Sequence, residues 1–572
     1  MNFDLVIRGG TVIDGTGAEA RSADVGVRDG VVAEVGRIAS TGTREIDAAG
    51  ALVTPGLVDI HTHYDGQVTW DSHLAPSSWH GVTTVVMGNC GVGFAPVHDG
   101  DHDRLIELME GVEDIPGAAL HEGLPWTWNS FGEFLDAAEV LPHDIDFAMQ
   151  VPHGALRLNV MGERGAQRED ATPDDIEAMA ALAGEAISAG ALGFSTSRTT
   201  NHKTSRGEYT PTLTAALDEL TGIAAALGEA GTGVVQVVTD FRDVEAEFDM
   251  LRAIGRSSGR PVSVSIAAGP TRPGIHHRIL AELERSNAEG ISMIGQTATR
   301  AIGILLGLGG TLNPFMTNRV FRGLSGSRSE LAAQLMDPQV RADLLAASGA
   351  ERDGKLVGGR LIDKYDMMFE LGEVPDYEPD PANSIAARAA RSGVDPAERA
   401  LDIMCSSDGT GLLYVPFANY VDGNLDPVRD MLGHPFTVPG LSDGGAHVGT
   451  ICDGSFPTTL LAHWGRDRAK GTFDLPFLIS RHCRDTARWV GLDDRGVIAP
   501  GYRADLNVID FDNLAVSKPE MVWDLPAGGR RLLQKATGYV HTFVAGTETY
   551  ANGEATGALP GKLVRGAQPA PA

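Results

Sequence analysis

Cysteine, positive charge and long apolar runs are all scarce in this 572-residue chain, and each shortage closes off a class of protein. Four cysteines, Cys90, Cys405, Cys452 and Cys483, do not make a disulfide framework in so long a sequence, and a reducing, cytoplasmic setting is the expectation. Lys and Arg number 46 against 76 Asp and Glu, a formal charge of −30. So acidic a surface repels phosphate backbones and anionic lipid, which argues against nucleic acid or a membrane face as a partner. No run reaches the roughly 18 apolar residues of a spanning helix. The opening MNFDLVIRGG has neither a basic leader nor a long apolar stretch, so no secretory signal is expected.

What is present is the make-up of a globular protein, 42% hydrophobic and 21% charged. The length exceeds the roughly 250–300 residues that one core takes, so one large domain with additions, or several domains, is expected. Both ends read as β-structure. DLVIRGGTVIDG and ADVGVRDGVVAEVG near the start, and GVIAPGYRADLNVID and YVHTFVAGTETYANG near the end, are short alternating runs divided by glycine. Neither end makes a useful core alone, so residues 1–54 and 490–556 are expected to combine into one small β-sandwich domain. Residues 557–572, which end in VRGAQPAPA, read as a flexible tail.

Between the ends, eight apolar strands alternate with amphipathic stretches such as DDIEAMAALAGEAISAG and TAALDELTGIAAALGEAG. That alternation predicts an α/β fold, a (β/α)8 TIM barrel over residues 55–489, with its active site at the C-terminal strand ends. The gap between strand seven, near Gln296, and strand eight, near Leu441, is too long for a loop. It predicts a lid-like helical insertion at about 315–419.

Chemistry concentrates in PGLVDIHTHYD, Pro55 to Asp65. His61 and His63 stand two apart on a predicted strand, so both imidazoles leave one face, where they either share a metal or serve as satisfied polar residues. Behind LVIRGGTVIDG and ahead of RGVIAPGYRADLNVID, the pattern PG-x-VD-x-H-x-H resembles the amidohydrolase superfamily over nearly the whole chain. GVTTVVMGNCGVGFAPV, VPHGALRLNVMG, GALGFSTS and LSDGGAH are most similar to its N-acyl-D-amino-acid deacylase (D-aminoacylase) group. The resemblance implies a zinc-dependent amidohydrolase that opens an amide of a small-molecule substrate, an N-acyl-D-amino acid first of all, with a metal-activated water. Two readings compete with it: a cyclic-amide hydrolase of the hydantoin or dihydropyrimidine type, and a catalytically silent barrel kept for binding.

The resemblance also implies roles for single residues. Cys90, in GNCG, stands where the group supplies a cysteine ligand, whereas a lone cysteine is otherwise a buried small hydrophobe. Asp443, in LSDGGAH, matches the catalytic aspartate, a base toward water and an acid toward the leaving nitrogen; a helix cap is the alternative. Strand four, ALGFSTS, has no lysine to carry the carboxylated bridge used elsewhere in the superfamily. Strands five and six, VVQVVTDF and PVSVSIAAG, have none of the histidines that complete the tighter metal site of typical D-aminoacylases. Asp240 reads as an oxygen ligand or a cap, and His276 and His277, in PGIHHRIL, read as solvent-facing residues that open a helix. The economical set is one zinc ion held by His61, His63 and Asp443, with Cys90 beside them. His153 in VPHGALR, Arg198 and His202 in STSRTTNHKTSRGEYTPT, and Arg300 in GQTATRAIG are expected to grip the substrate. A homo-oligomer is compatible with this reading.

Overall fold

The eight apolar runs form short parallel strands in a computed structural model that describes residues 3–347 and 359–572. They are β1 (Leu57–Asp59), β2 (Val82–Met87), β3 (Asp146–Pro152), β4 (Gly193–Arg198), β5 (Val234–Thr239), β6 (Val262–Ile266), β7 (Met293–Thr297) and β8 (Thr437–Pro439). Neighbours pair in chain order from β1 to β8. The ring closes just beyond its ends: Thr62 pairs in parallel with Gly444, and the His63 N–H donates to the Gly444 carbonyl at 2.8 Å. Nearly every strand residue is buried, because helices cover the outside of the ring and side chains fill the inside.

Helices α1 (His102–Glu113), α2 (Pro173–Ala189), α3 (Leu217–Ala230), α4 (Val244–Ser258) and α5 (Ile275–Ala288) follow β2 to β6. Local sequence fixes their ends. At α2, Thr172 and Asp175 cap each other's backbone, proline takes the first turn, and Gly190 in the left-handed region stops the helix. The apolar stripes of α3 (Leu220, Ile223, Leu227) and α4 (Phe248, Leu251, Ile254) belong to the same large core as the barrel strands.

Both chain ends meet in one nine-stranded mixed sheet. Strand Phe3–Val12 runs parallel to Leu52–Pro55, which pairs antiparallel with Leu506–Ile509 and through it with Tyr539–Val544. Leu5, Ile7, Val25, Val53, Leu506, Val508 and Phe543 share its core, so residues some 500 apart in sequence bury one another. The fold is a (β/α)8 barrel with a β-domain built from both termini.

Two segments differ from their sequence reading. The insertion begins earlier than residue 315: Ile302–Leu306 pairs antiparallel with Leu412–Ala418, which also pairs with Phe369–Leu371. Helices Arg328–Met336, Pro338–Ala346, Ile385–Ser392 and Pro396–Gly409 pack on this small sheet around Ile304, Leu335, Leu344, Leu401, Met404 and Leu413. Residues 348–358 of the expected insertion lie outside the described residues. The expected flexible tail, 557–572, is instead docked across the N-terminal end of the barrel. Its Gly561, Val564, Gly566 and Gln568 N–H groups donate to the carbonyls of His143, Phe147, Gly190 and Gly491, each at 2.8 Å. Val564 sits in an apolar cluster with Val58, Val86, Ala148 and Leu192, and that burial is what the tail's composition hides. Among the described residues no helix is long and apolar enough to cross a membrane.

Candidate metal centre

The residues that follow β1, β2 and β8 converge at the C-terminal mouth. His61 and His63 leave the end of β1 and are both buried. Cys90 follows β2 in a tight turn that needs Gly88, at φ +79°; a Cβ there would lie 2.1 Å from the Gln150 carbonyl. Cys90 itself is held at φ +57°, and Asp443 and His447, after β8, at φ +49° and +50°. Left-handed backbone at non-glycine residues costs about 1–3 kcal/mol each and gathers where a site is over-determined. Here it turns a thiol and a carboxylate toward the two imidazoles.

The donor atoms enclose a small space. His61 Nε2 lies 3.3 Å from Cys90 Sγ and 3.6 Å from Asp443 Oδ1, and His63 Nε2 lies 3.7 Å from the same oxygen. Metal–nitrogen bonds of about 2.0–2.1 Å and a metal–sulfur bond of about 2.3 Å put neighbouring donors of a tetrahedron roughly 3.3–3.6 Å apart. Two imidazoles and one thiol, His61, His63 and Cys90, have donor atoms within 4.8 Å of one another and suit a zinc-like ion, with the Asp443 carboxylate beside the two imidazoles.

Surrounding side chains fix these donors. Gln296 Oε1, from β7, accepts from His61 Nδ1 at 2.6 Å, which leaves Nε2 as the free donor, and Gln296 Nε2 in turn donates to Ser263 Oγ on β6 at 3.0 Å. Gln236, on β5, accepts from the Cys90 N–H at 2.9 Å and donates to Ser265 Oγ at 3.3 Å. In place of histidines, β5 and β6 present an uncharged amide and hydroxyl network that orients His61 and the Cys90 backbone. Glu113, the last residue of α1 and only 1% exposed, faces His63 Nδ1 at 3.4 Å and His447 Nε2 at 3.6 Å, and neither carboxylate oxygen has a hydrogen-bond partner.

Electrostatics divides these groups. Burial pushes the Cys90 thiol up to about 12, so a thiolate there needs a cation beside it. Burial pushes His61 down to about 4. Burial would raise Asp443, yet hydrogen bonding to His63 and the positive potential of His61 and His63 hold its carboxyl well below the usual range.

The expected substrate residues divide as sharply. His202 faces the centre: burial first, then His447 and His63, push it down to about 3, and its Nδ1 lies 2.9 Å from Ser197 Oγ. His153 is sealed inside, where it contacts Thr196 Oγ1 at 2.8 Å and Glu219 Oε1 at 2.9 Å while Arg157 Nε donates to the same oxygen at 2.6 Å. Arg300 is equally closed off. Its guanidinium lies 3.5 Å from the Tyr377 ring centroid and donates to the Cys452 carbonyl at 2.8 Å and Asp453 at 3.2 Å. Both readings as substrate contacts are therefore corrected: these two side chains brace the wall rather than line the mouth. Arg198 donates to the Ala215 carbonyl ahead of α3. Asp240 caps the loop after β4, accepting from Thr199 and Thr200 at 2.5 and 2.9 Å, and faces Arg242. Among the described residues a second group with metal-donor spacing, His276, His277 and Asp430, shares no residue with this centre.

Two residues at the centre had no role in the sequence reading. His447 stood in LSDGGAH unremarked, although its place four residues after Asp443 was a usable signal. Glu113 had none, because only the packing of α1 against the 447–450 loop brings it there: its carbonyl accepts from the His447 N–H, and the neighbouring Asp114 carboxylate accepts from the Gly449 N–H at 3.2 Å.

Known proteins align with this arrangement. The amidohydrolase family matches residues 44–550. D-aminoacylase from Alcaligenes xylosoxydans xylosoxydans is 27% identical over 570 residues, covering 98% of this chain and 97% of the relative. A solved structure of D-aminoacylase, described as having a binuclear metal center with one-metal activation and second-metal attenuation, superposes with a TM-score of 0.67 at 26% identity, covering 98% of this chain and all of that one. N-acyl-D-glutamate deacylase from Bordetella bronchiseptica, solved with zinc and a phosphonate mimic of the tetrahedral intermediate, gives 0.64 at 25% identity and covers 99% of this chain and all of that one.

Proposed function

The chain belongs to the amidohydrolase family, and on that premise we propose that it is a zinc enzyme that hydrolyses the amide of an N-acyl-D-amino acid or a close relative. That it is a hydrolase acting on amides follows from the family and its D-aminoacylase relatives. The observation that carries the finer reading is the cluster of His61, His63 and Cys90 donors within 4.8 Å of one another, with the Asp443 carboxylate 3.6 and 3.7 Å from the two imidazoles. Those residues would hold one ion. When bound, a metal there supplies Lewis-acid polarisation of the scissile carbonyl and lowers the pKa of an attacking water.

The protein's own groups do the rest. Asp443, kept ionised, takes the proton from water and returns it to the leaving nitrogen, two transfers that one carboxylate performs in turn. Glu113 sets its charge behind His63 Nδ1 at 3.4 Å and His447 Nε2 at 3.6 Å, the place of a carboxylate behind a ligating histidine. His202 stays neutral, and in the tautomer whose Nδ1 accepts from Ser197 Oγ its Nε2 carries the proton, which suits it to grip the acyl oxygen.

Arg300 is stacked on Tyr377 and donates to the Cys452 carbonyl and Asp453, and Arg198 donates to the Ala215 carbonyl; this favours a second reading, a cyclic amide, which has no free carboxylate to hold. A screen of N-acyl D- and L-amino acids beside hydantoins and dihydropyrimidines separates the two. The metal assignment has its own test. Protein purified without added metal is expected to carry about one zinc ion at this centre. The double variant His61→Ala, His63→Ala loses that ion and all turnover. Turnover at the wild-type rate in the double variant overturns the assignment.

A further inference from the structure

Helix α5 opens on His276 and His277, and Asp430 faces them from α6 (Asp426–Leu432), the helix that returns the chain from the insertion to β8. Asp430 Oδ2 lies 3.3 Å from His277 Nε2 and 3.7 Å from His276 Nε2, and the two ring centroids are 4.0 Å apart. These separations match those of the donors in the barrel mouth. His277 and Asp430 are exposed, but His276 is only 4% exposed, and neither of its ring nitrogens has a hydrogen-bond partner.

A buried imidazole without partners costs free energy, and a carboxylate at 3.7 Å is too far to hydrogen-bond it. An ion pair between His277 and Asp430 leaves that cost in place. A cation shared by all three side chains relieves it. Burial and the neighbouring His277 push His276 down, so at neutral pH its lone pair is free to bind. The N-terminus of α5 opposes a cation through the helix dipole, and the Asp430 carboxylate supplies the negative charge that offsets it.

We propose that His276, His277 and Asp430 form a peripheral site for a borderline divalent cation such as Zn²⁺ or Ni²⁺, with its remaining coordination open to water. Imidazole donors select these ions over Mg²⁺ and Ca²⁺, which take oxygen. The site is a clip and takes no part in the chemistry. It fastens α5 to α6, and α6 leads into β8, beyond whose end Asp443 is presented. Occupancy slows local opening of the 426–432 segment.

The test uses the purified holoenzyme, titrated with Zn²⁺ or Ni²⁺ by calorimetry, with bound metal counted by mass spectrometry. One further equivalent per chain is expected, weaker than the resident ion. His277→Ala and Asp430→Asn, both at exposed positions, weaken that equivalent by at least ~10-fold and leave kcat unchanged. Hydrogen exchange at 426–432 slows on metal addition in the wild type and not in either variant. In the His61→Ala, His63→Ala protein the peripheral equivalent persists although the first is gone, so failure of the barrel assignment and failure of the clip give different results. The proposal is overturned if the holoenzyme takes up no further equivalent, or if both surface variants bind it as tightly as the wild type.

Discussion

Asp443 is asked to be a ligand and a proton carrier at once, and the two demands pull its charge in opposite directions. As a ligand it must stay ionised, which the imidazoles at 3.6 and 3.7 Å favour; as an acid it must hold a proton for part of each turnover. Asp443→Asn keeps the shape and removes the base. It is expected to lower kcat by ~10²–10⁴-fold, the range typical of lost acid–base catalysis. Metal content in the same preparation then tells shuttle from ligand: metal retained with kcat lost marks proton transfer, and loss of both marks coordination. Glu113→Gln tests orientation. The amide keeps the packing of α1 but not the charge facing His63 and His447, so zinc affinity is expected to fall by ~10–100-fold in competition with a chelator while the thermal midpoint stays close to wild type. Unchanged affinity would remove Glu113 from the support of His63. That His61, His63, Cys90 and Asp443 gather at the mouth was legible in sequence because each sits in a short string, H-x-H, GNCG or SDGG, at a strand end. Glu113 was not, because its role arises where a helix terminus meets a loop more than 300 residues away. His153 and Arg300 show the converse: a position after a barrel strand locates the backbone at the mouth but does not say which way the side chain turns.

The eight barrel strands are apolar runs bounded by turn residues, so their order and parallel sense could be read before any contact was known. The edges of the insertion could not. Ile302–Leu306 continues directly from the loop after β7, and its partner Leu412–Ala418 lies about a hundred residues on, so no local pattern marks it as a strand. The chain's end was misread for a related reason: among glycine, proline and alanine, Leu563 and Val564 carry the docking, and their burial depends on distant neighbours. The insertion has an apolar core of its own, and this makes it separable by mutation. Leu401 is fully buried there, and Leu401→Ala is expected to cost ~2–5 kcal/mol of local stability. Hydrogen exchange should quicken in Pro396–Gly409 and Leu412–Ala418 while amides of β1 to β6 keep their protection. Equal acceleration in the barrel would mean that insertion and barrel open as one unit. A substrate analogue that slows proteolysis of the insertion would mark it as a lid; an unaltered rate would leave it a structural addition.

For the molecule as a whole, the question is what seats the insertion on the barrel, and one carboxylate answers much of it. Glu378 accepts from Arg468 Nη2 at 2.9 Å, Arg468 Nε at 3.0 Å and the Leu425 N–H at 2.8 Å, and contacts His463 Nε2 at 3.0 Å. It thus joins the insertion side to α6 and to the helical segment after β8. Burial alone would raise its pKa, but the hydrogen bonds from His463, Arg468 and the Leu425 N–H bring it down to about 2, from an ordinary value of 4.5. A carboxyl whose folded pKa is depressed binds fewer protons in the folded chain than in the unfolded one between those two values. Its contribution to stability is complete above the ordinary pKa and is lost as pH falls through the folded one. Glu378→Gln should therefore be less stable than the wild type at pH 7, because the amide cannot match the charge of Arg468 and leaves it half-buried without its main partner. As pH is lowered from about 5 toward about 2, the unfolded wild-type chain takes up the proton first, so the gap between the two denaturation midpoints narrows, and it closes only as the folded carboxyl itself protonates. Urea melts of both proteins across that range decide the matter, since titration of every other group is common to the pair. A gap that stays constant down to about pH 3 would show that Glu378 seats the insertion through shape and neutral hydrogen bonds instead of through its charge.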